Sequence, residues 1–576
     1  MDIEIKNPVI DNKINTRYIR SFLLALFSGC LLAVGQLSQF GWISFVAYIP
    51  LITIVYRKKF LDIFKFSFFS FFLYYFITFK WISATIIQFT KISFELSILA
   101  LFFLSIIFAF YHAAIFCLTR WLSIYFNWSY LWLFPVGLCV SEYLKEYGYI
   151  VSFPWGSPAY SLLTVRLISQ IASVVGVYGL VFIVGLINSA IFELLFIKNN
   201  NNLQIVTLSV ITVVICYGWL QINNQSKYNH LENIKIATLQ GNNRQQVDQN
   251  SDFNQIKIFD KYKELQQKAM MQNVKITVWP ESSYPYHVSR NNFHQMLQLK
   301  NLSDVNIIPA TSFDSENKIY NTVFMVNRSK DIVGIFDKNH LVPFGEYVPW
   351  PFKSFFSKFI PHSINFNRNT VSKSIPIYIV TKNKLKRIFV AIIICYDGGF
   401  PKISRNFTKN KAELLINVSN DSWYGNSWEP DQHLKMYQMR SIETARNCIR
   451  ATDTGISAWV DVNGNIHRPT NLFREALSIY NISTSTEKTA YQKFGDIVPK
   501  ICLYVLMSCI IYSKYPRTKL DLILSLIGVC IVLFFCVLLE QTTSLLNDST
   551  QTQKTTMILL GLMIWFRVDF KFFYKK

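Results

Sequence analysis

The chain runs to 576 residues, 51% hydrophobic and 16% aromatic, with a formal net charge of +22. Such an apolar composition at this length excludes an ordinary soluble protein. The polar part carries no basic stripe with interleaved aromatics, which excludes nucleic acid as the reason for the positive charge.

The apolar residues gather in blocks of roughly 18 or more, enough to cross a hydrocarbon core of ~30 Å as helix. They lack the two-residue alternation of a membrane barrel. In chain order the expected spans are about 18–36, 39–56, 61–79, 96–118, 124–145, 167–192 and 203–221. The first has no small-residue cleavage site behind it and reads as a retained anchor. Beyond a long polar stretch come 497–514, 519–540 and a weaker 555–571, with Arg567 and Asp569 near its end. Lys and Arg cluster beside these spans, at Arg17 and Arg20, Arg57 to Lys59, Arg120, Lys198, Lys514, Arg517 and Lys519. Positive-inside bias then puts the N-terminus in the cytoplasm, and about seven spans before residue 230 put the polar stretch on the far side. Lys80 and Lys91 fall on that far side against the trend.

Between about 230 and 490 the texture changes to short apolar strands separated by polar loops. Strands are expected at 234–242, 273–282, 305–312, 321–327 and 386–397, and strands running into loops over 332–350 and 412–425, with helical periodicity at 253–272 and 431–450. Strands alternating with helices imply an α/β layered domain. The expected division is 1–225 (transmembrane helices), 230–490 (a catalytic-sized α/β domain) and 495–576 (C-terminal spans).

Of ten cysteines, Cys30, Cys117, Cys139, Cys216, Cys502, Cys509, Cys530 and Cys536 lie in expected spans, leaving Cys395 and Cys448 in the α/β domain. No C-x-x-C pair or His/Cys ligand cluster occurs, so no metal site is expected. A Cys395–Cys448 disulfide is an alternative, but Cys448 sits in a helical-looking stretch.

Three strands end in a reactive residue: Glu281 after "ITVWP", Lys338 after "IVGIFD" and Cys395 after "FVAIII". Strand ends are where an α/β domain gathers its ligand loops. A thiol attacks as thiolate, a carboxylate takes its proton, and an ammonium holds an oxyanion. Glu, Lys and Cys together therefore suit acyl transfer through a thioester. Taken singly, each has a plainer reading: Cys395 as core filler, Glu281 as a loop acid, Lys338 as a surface cation.

The wording around these residues favours the joint reading. "VWPES", "DKNHLVPFGEYVPW" and "IIICYDGGFP", in this order, resemble the nitrilase superfamily, which implies an αββα sandwich with a Glu-Lys-Cys triad. Together with "NVSNDSWYG", "QHLKMYQMRSIETARNCIRATDTGISAWVDVNG" and the upstream "SEYLKEYGYIVSFPWGSPAYS", they are similar to apolipoprotein N-acyltransferases, the membrane-embedded branch. The resemblance covers about 15–515. It implies a polytopic α-helical membrane protein carrying a nitrilase-like domain, in a bacterial inner membrane, with that domain on the periplasmic side. It implies an acyl donor phospholipid, commonly phosphatidylethanolamine, and a diacylated apolipoprotein acceptor, with no cofactor and a monomeric enzyme. Glu281 then matches the base, Lys338 the oxyanion lysine and Cys395 the nucleophile. Glu346 matches a second carboxylate and Tyr396 the residue after the nucleophile. Asp397 stands where the family usually has Glu.

Two departures from the pattern stand out. "NRQQVDQN" lacks the tryptophan that often follows "LQGN" in the family, and the tail adds two candidate spans beyond the usual one. Trp350, Phe344, Trp423 and Tyr424 are candidates for lipid contact or a lid, with ordinary core packing as the competing reading. His340 and His433 are candidate bases, or structural hydrogen-bonders. Glu142 and Lys145 sit one turn apart near the far end of the fifth span, as a functional pair or a plain i,i+3 pair. Two further functions stay open: a tethered amidase delivering the acyl group to water, and a lipid transporter with an inactive domain.

Overall fold

The computed structural model describes residues 8–512, except 57, 59, 91, 147–151, 198–201, 225–232, 244–251, 291–298, 300, 349–365, 370–372 and 382–383. The expected spans 519–540 and 555–571 lie outside the described residues, as do Trp350 and most of its loop.

The N-terminal half is a helix bundle: α1 (Pro8–Leu37), α2 (Ile49–Val55), α3 (Phe60–Thr78), α4 (Trp81–Thr90), α5 (Phe94–Tyr125), α6 (Tyr130–Glu146), α7 (Arg166–Ser169), α8 (Ala172–Phe196) and α9 (Asn202–Asn223). Among the described residues, five helices are long and apolar enough to cross a membrane: α1 from Thr16, α3, α5, α8 and α9. The 17-residue α6 lies at the centre, with its charged end, Glu142, Lys145 and Glu146, buried too.

The run 39–56, expected as one span, is instead a 3-10 turn over Gly41–Phe45 followed by the seven-residue α2. A Cβ on Gly41 would lie 1.8 Å from the Ser161 carbonyl oxygen, so the chain passes too close for a side chain. Backbone groups freed by the break find side chains on α8: Tyr48 N–H donates to Asn188 Oδ1 (2.9 Å), and Asn188 Nδ2 donates to the Ser44 carbonyl (2.8 Å). Broken helix persists at membrane depth only with such internal partners.

The second half is a two-sheet sandwich. Its strands are β1 (Asn233–Gln240), β2 (Ile276–Val278), β3 (Tyr284–Ser289), β4 (Val305–Phe313), β5 (Ile319–Asn327), β6 (Ile332–Asp337), β7 (Ile375–Thr381), β8 (Lys384–Ile394), β9 (Leu414–Ser419), β10 (Cys448–Thr452), β11 (Ala458–Val460), β12 (Ile466–His467) and β13 (Ala476–Ser483). One sheet runs β13-β1-β2-β4-β5-β6, with β3 also on β4; the other runs β12-β11-β10-β9-β8-β7. Period two sorts the first sheet's residues. Ile234, Ile236, Ile276, Val278, Val305 and Ile307 join the core shared with the second sheet. Leu239, Trp279, Ile308 and Phe324 pack on the other face against Phe259, Tyr262 and Leu265 of α10 (Asp252–Met270). Each such side chain taken fully out of water contributes roughly 1.5–3 kcal/mol.

Helices α11 (Pro401–Lys409) and α12 (Glu429–Thr444) cover the second sheet and rest on the bundle. The expected helix 431–450 stops early. Ala445 turns left-handed (φ 48°) and Cys448 opens β10, so Cys448 is a strand residue. Cys395 and Cys448 are both free thiols. The chain returns to the bundle through α13 (Ala490–Phe494) and α14 (Ile497–Tyr512), which packs on α6.

The two halves are joined through a defect in α8. Gly176 breaks the helix (φ 69°, ψ 179°), and the freed Val177 N–H donates to Glu443 Oε1 of α12 at 2.8 Å. Arg440 Nε lies 2.9 Å from the other oxygen of Glu443, and Arg405 pairs with Asp496 at 3.1 Å.

Candidate active site

Cys395 follows directly on β8 and opens a 3-10 turn, Cys395–Gly399. Its φ of 45° is left-handed, a conformation that costs a non-glycine residue on the order of 1–3 kcal/mol and must be held by its surroundings. Two buried donors from α12 hold its carbonyl: Tyr437 Oη at 2.6 Å and His433 Nε2 at 3.2 Å.

Lys338 follows β6 and Glu281 lies three residues beyond β2; both strands belong to one sheet, with β4 and β5 between them. Lys338 Nζ sits 2.9 Å from Glu281 Oε1 and 2.8 Å from Glu346 Oε1. Asn321 Nδ2 donates to the same two oxygens, at 2.8 and 3.1 Å. Each carboxylate's second oxygen takes a backbone N–H: Asn420 to Glu281 (2.9 Å) and Val342 to Glu346 (2.8 Å). Asp397 is buried and accepts the N–H groups of Asn339 (3.2 Å) and His340 (2.7 Å), the two residues after Lys338. It thereby ties the cysteine turn to the lysine loop across the two sheets.

Burial works to strip Lys338 of its proton, but Glu281 and Glu346 outweigh it and hold the ammonium well above the usual lysine range. Burial pushes the Glu346 carboxyl up, only partly offset by Lys338. Burial also pushes the Cys395 thiol well up; the Glu281 carboxylate adds to this, while Lys338 and the Ser419 hydroxyl oppose it. At rest the group is a neutral thiol beside a charged lysine.

Tyr396 points to the bundle. Its hydroxyl donates to the Ser152 carbonyl, and its ring stacks on Trp155 (centroids 5.2 Å, 18°). Of the candidate lipid-contact residues, Tyr424 packs edge-on against Trp81 of α4 (5.2 Å) and Trp423 is half-buried against the core. Phe344 sits at φ 63° in the tight turn that carries Glu346, its N–H bonded to the Tyr347 carbonyl at 2.7 Å.

His340 stacks on Phe400 (4.0 Å). His433 lies beneath the cysteine turn, its Nδ1 near Asp421 (3.4 Å), Glu429 (3.5 Å) and Arg450 Nη2 (3.3 Å). Asp421, Glu429 and His433 are close enough to share a cation. The Arg450 guanidinium, 2.7 Å from Asp421, already supplies a positive charge there. Burial and Arg450 hold His433 below its usual value, and as a neutral imidazole it can donate from Nε2 to the Cys395 carbonyl.

Sequence reasoning missed Asn321, Asn420, Tyr437 and Trp155. Asn321 and Asn420 offered one signal, a polar residue at the end of an apolar strand. Tyr437 and Trp155 are aromatics among many and offered none.

A family model described as Carbon-nitrogen hydrolase matches residues 235–491, and one described as Apolipoprotein N-acyltransferase N-terminal domain matches 28–190. The apolipoprotein N-acyltransferase of Geobacter metallireducens is 28% identical over 513 residues, covering 84% of this chain and 93% of its own. That of Shewanella oneidensis is 30% identical over 388 residues, 64% of this chain and 71% of its own. Among solved structures, Saccharomyces cerevisiae Nit3, a member of branch 10 of the nitrilase superfamily, is similar over 46% of this chain and 95% of its own, at 17% identity and a TM-score of 0.33. Two sheets between helices, with a helix bundle on one side, define a membrane-borne protein of the carbon-nitrogen hydrolase class. Within that class, the chain belongs to the apolipoprotein N-acyltransferase family.

Proposed function

We propose that the protein moves an acyl chain from a membrane phospholipid to the α-amino group of the diacylglyceryl-cysteine at a lipoprotein N-terminus, by a ping-pong reaction through a Cys395 thioester. The observation that carries this reading is Lys338, clamped between Glu281 and Glu346 at the strand ends beside the cysteine turn. Family membership and the apolar bundle supply the rest: a soluble substrate needs no such bundle.

In the first half-reaction the Cys395 sulfur attacks the donor's ester carbonyl while its proton passes to Glu281. The tetrahedral oxyanion rests on the Lys338 ammonium and the backbone N–H of Tyr396, in the first turn of its 3-10 segment. One good donor there contributes roughly 3–4 kcal/mol. Collapse expels the lysophospholipid oxygen, which takes the proton back from Glu281. In the second half-reaction the lipoprotein amine attacks the thioester carbonyl, Glu281 takes its excess proton, and the thiol re-forms as the amide leaves. Glu346 keeps Lys338 charged and in place. Phosphatidylethanolamine as donor, a monomeric enzyme, the 1–225, 230–490 and 495–576 division, and a periplasmic catalytic domain belong to the same reading.

Incubation with a phospholipid carrying a labelled acyl chain, followed by mass spectrometry of the Cys395 peptide, tests it. The expected result is an acyl adduct on Cys395 that is absent in Cys395→Ala. Full acyl transfer by Cys395→Ala would remove the nucleophile.

A further inference from the structure

The bundle buries a set of charged groups that this chemistry does not use. Glu142 and Lys145 of α6 and His112 of α5 have side chains 2%, 1% and 0% exposed. Charge at such depth is expensive and persists where it has a task. The pair is not a solvated i,i+3 contact. Glu142 Oε2 lies 2.8 Å from Lys145 Nζ, while Glu142 Oε1 meets His112 Nε2 on the neighbouring helix at 3.2 Å. Tyr75 Oη meets the same ring nitrogen at 3.2 Å, and His112 Nδ1 is 2.9 Å from the Phe108 carbonyl.

From this fixed base Lys145 reaches out of the helix. Its ammonium donates to the Trp155 carbonyl at 2.7 Å, and its own carbonyl accepts the Phe153 N–H at 3.1 Å. The loop it grips is pressed against the cysteine turn. The Trp155 ring stacks on Tyr396, the residue after Cys395, and lies 5.5 Å from the His433 ring that holds the Cys395 carbonyl. A Cβ on Gly399 would come within 2.5 Å of Pro154, so turn and loop are in tight contact. A cationic donor is needed because one group must satisfy both a carboxylate and a carbonyl.

We infer that the buried His112–Glu142–Lys145 cluster is a positioning device of the membrane half, holding the Trp155 loop as the floor on which Tyr396 and the Cys395 turn are set. The inference rests on Cys395 being the nucleophile. Misplacement of a reacting group by about 1 Å costs on the order of a hundredfold in rate, so loosening that floor lowers turnover while leaving donor binding in place.

The test uses the full-length protein in phosphatidylethanolamine vesicles containing a fluorescent-acyl phospholipid, with rates per folded enzyme and melting temperatures measured alongside. Lys145→Met is expected to slow Cys395 acylation at saturating donor by about tenfold to a hundredfold, with the half-saturating donor concentration changed by less than about twofold. Lys145→Arg, which keeps charge and donors, is expected to restore a large part of the rate. The double variant Glu142→Gln/Lys145→Met carries no unpaired acid–lysine charge; it is expected to melt near the wild-type temperature and still be slow. Wild-type acylation by the folded double variant would overturn the inference, as would a slowing that appears only in donor binding or folded fraction. Cys395→Ala runs in parallel: activity there removes the nucleophile reading instead, so the two failures are told apart.

Discussion

At the scale of the residue, the thiol is governed by opposing neighbours, and the signs are open to test. Glu281 favours the neutral thiol and Lys338 the thiolate. Removing the carboxylate in Glu281→Gln should therefore lower the thiol pKa, and Lys338→Met should raise it further. Alkylation of Cys395 by iodoacetamide between pH 7 and 9 is expected to be faster than wild type in the first variant and slower in the second, although both lose acyl transfer. The reverse order would contradict the electrostatics given for the site. Asp397 was the residue whose meaning was least legible in the sequence. It accepts two N–H groups of the Lys338 loop, a relation between residues 58 and 57 positions apart that no local pattern reports. Asp397→Asn, whose amide has only one acceptor oxygen, should weaken that tie. A fall of about tenfold in acyl transfer is expected, with the Cys395 adduct still forming. His433 and Tyr437 illustrate the same limit, since the helical pattern placed them on a helix without showing which carbonyl they would meet.

At the scale of the element, apolar runs and alternation located β1, β2, β4, β5, β6, β8 and β9, and those strands carry Glu281, Lys338 and Cys395 at their ends or stand beside them. β7 and β10 escaped notice for physical reasons. Pro376 interrupts the first, and the second contains Arg450, whose charge Asp421 answers from the loop after β9. The broken segment 39–56 escaped because composition does not report the close approach of Gly41 to Ser161. Gly176 is the sharpest test of a break. At φ 69°, with a Cβ only 2.4 Å from the Tyr491 ring, Gly176→Ala should destabilise the protein by on the order of 1–3 kcal/mol or more, read as a lower melting temperature in detergent. Asp453 links β1, α10 and the end of β10 through Asn243 and the Tyr262 hydroxyl (2.6 Å). Burial holds its carboxyl up to about 6, against 3.8 as the ordinary value. Between those values the folded chain holds more proton than the unfolded chain, so stability falls as pH rises from about 4 to about 6, then levels off. The span is on the order of 3 kcal/mol. Asp453→Asn should flatten that slope in denaturant titrations followed by tryptophan fluorescence.

At the scale of the whole molecule, the catalytic half is docked rather than tethered. Glu443 caps the broken α8, Arg405 pairs with Asp496, Trp81 Nε1 donates to Gln432 (3.3 Å), and Tyr396 bonds the Ser152 carbonyl. Hydropathy made the two halves legible, and motif order made the site legible. The joint between them was not, because it is built from contacts between residues far apart in the chain, which no local pattern reports. The proposed orientation rests on positive-inside bias and is open to test. Arg468→Cys, on the exposed end of the sandwich, should react with a membrane-impermeant maleimide in intact spheroplasts. Labelling only after permeabilisation would invert the topology.

The thioester route is tested most sharply by a chase. Enzyme loaded with a labelled acyl group on Cys395 is freed of phospholipid donor and mixed with a diacylated lipopeptide. Label is expected to leave Cys395 and appear as an amide on the lipopeptide's N-terminal cysteine, one for one. Label lost only to water, or lipopeptide acylated without passing through Cys395, would contradict that route.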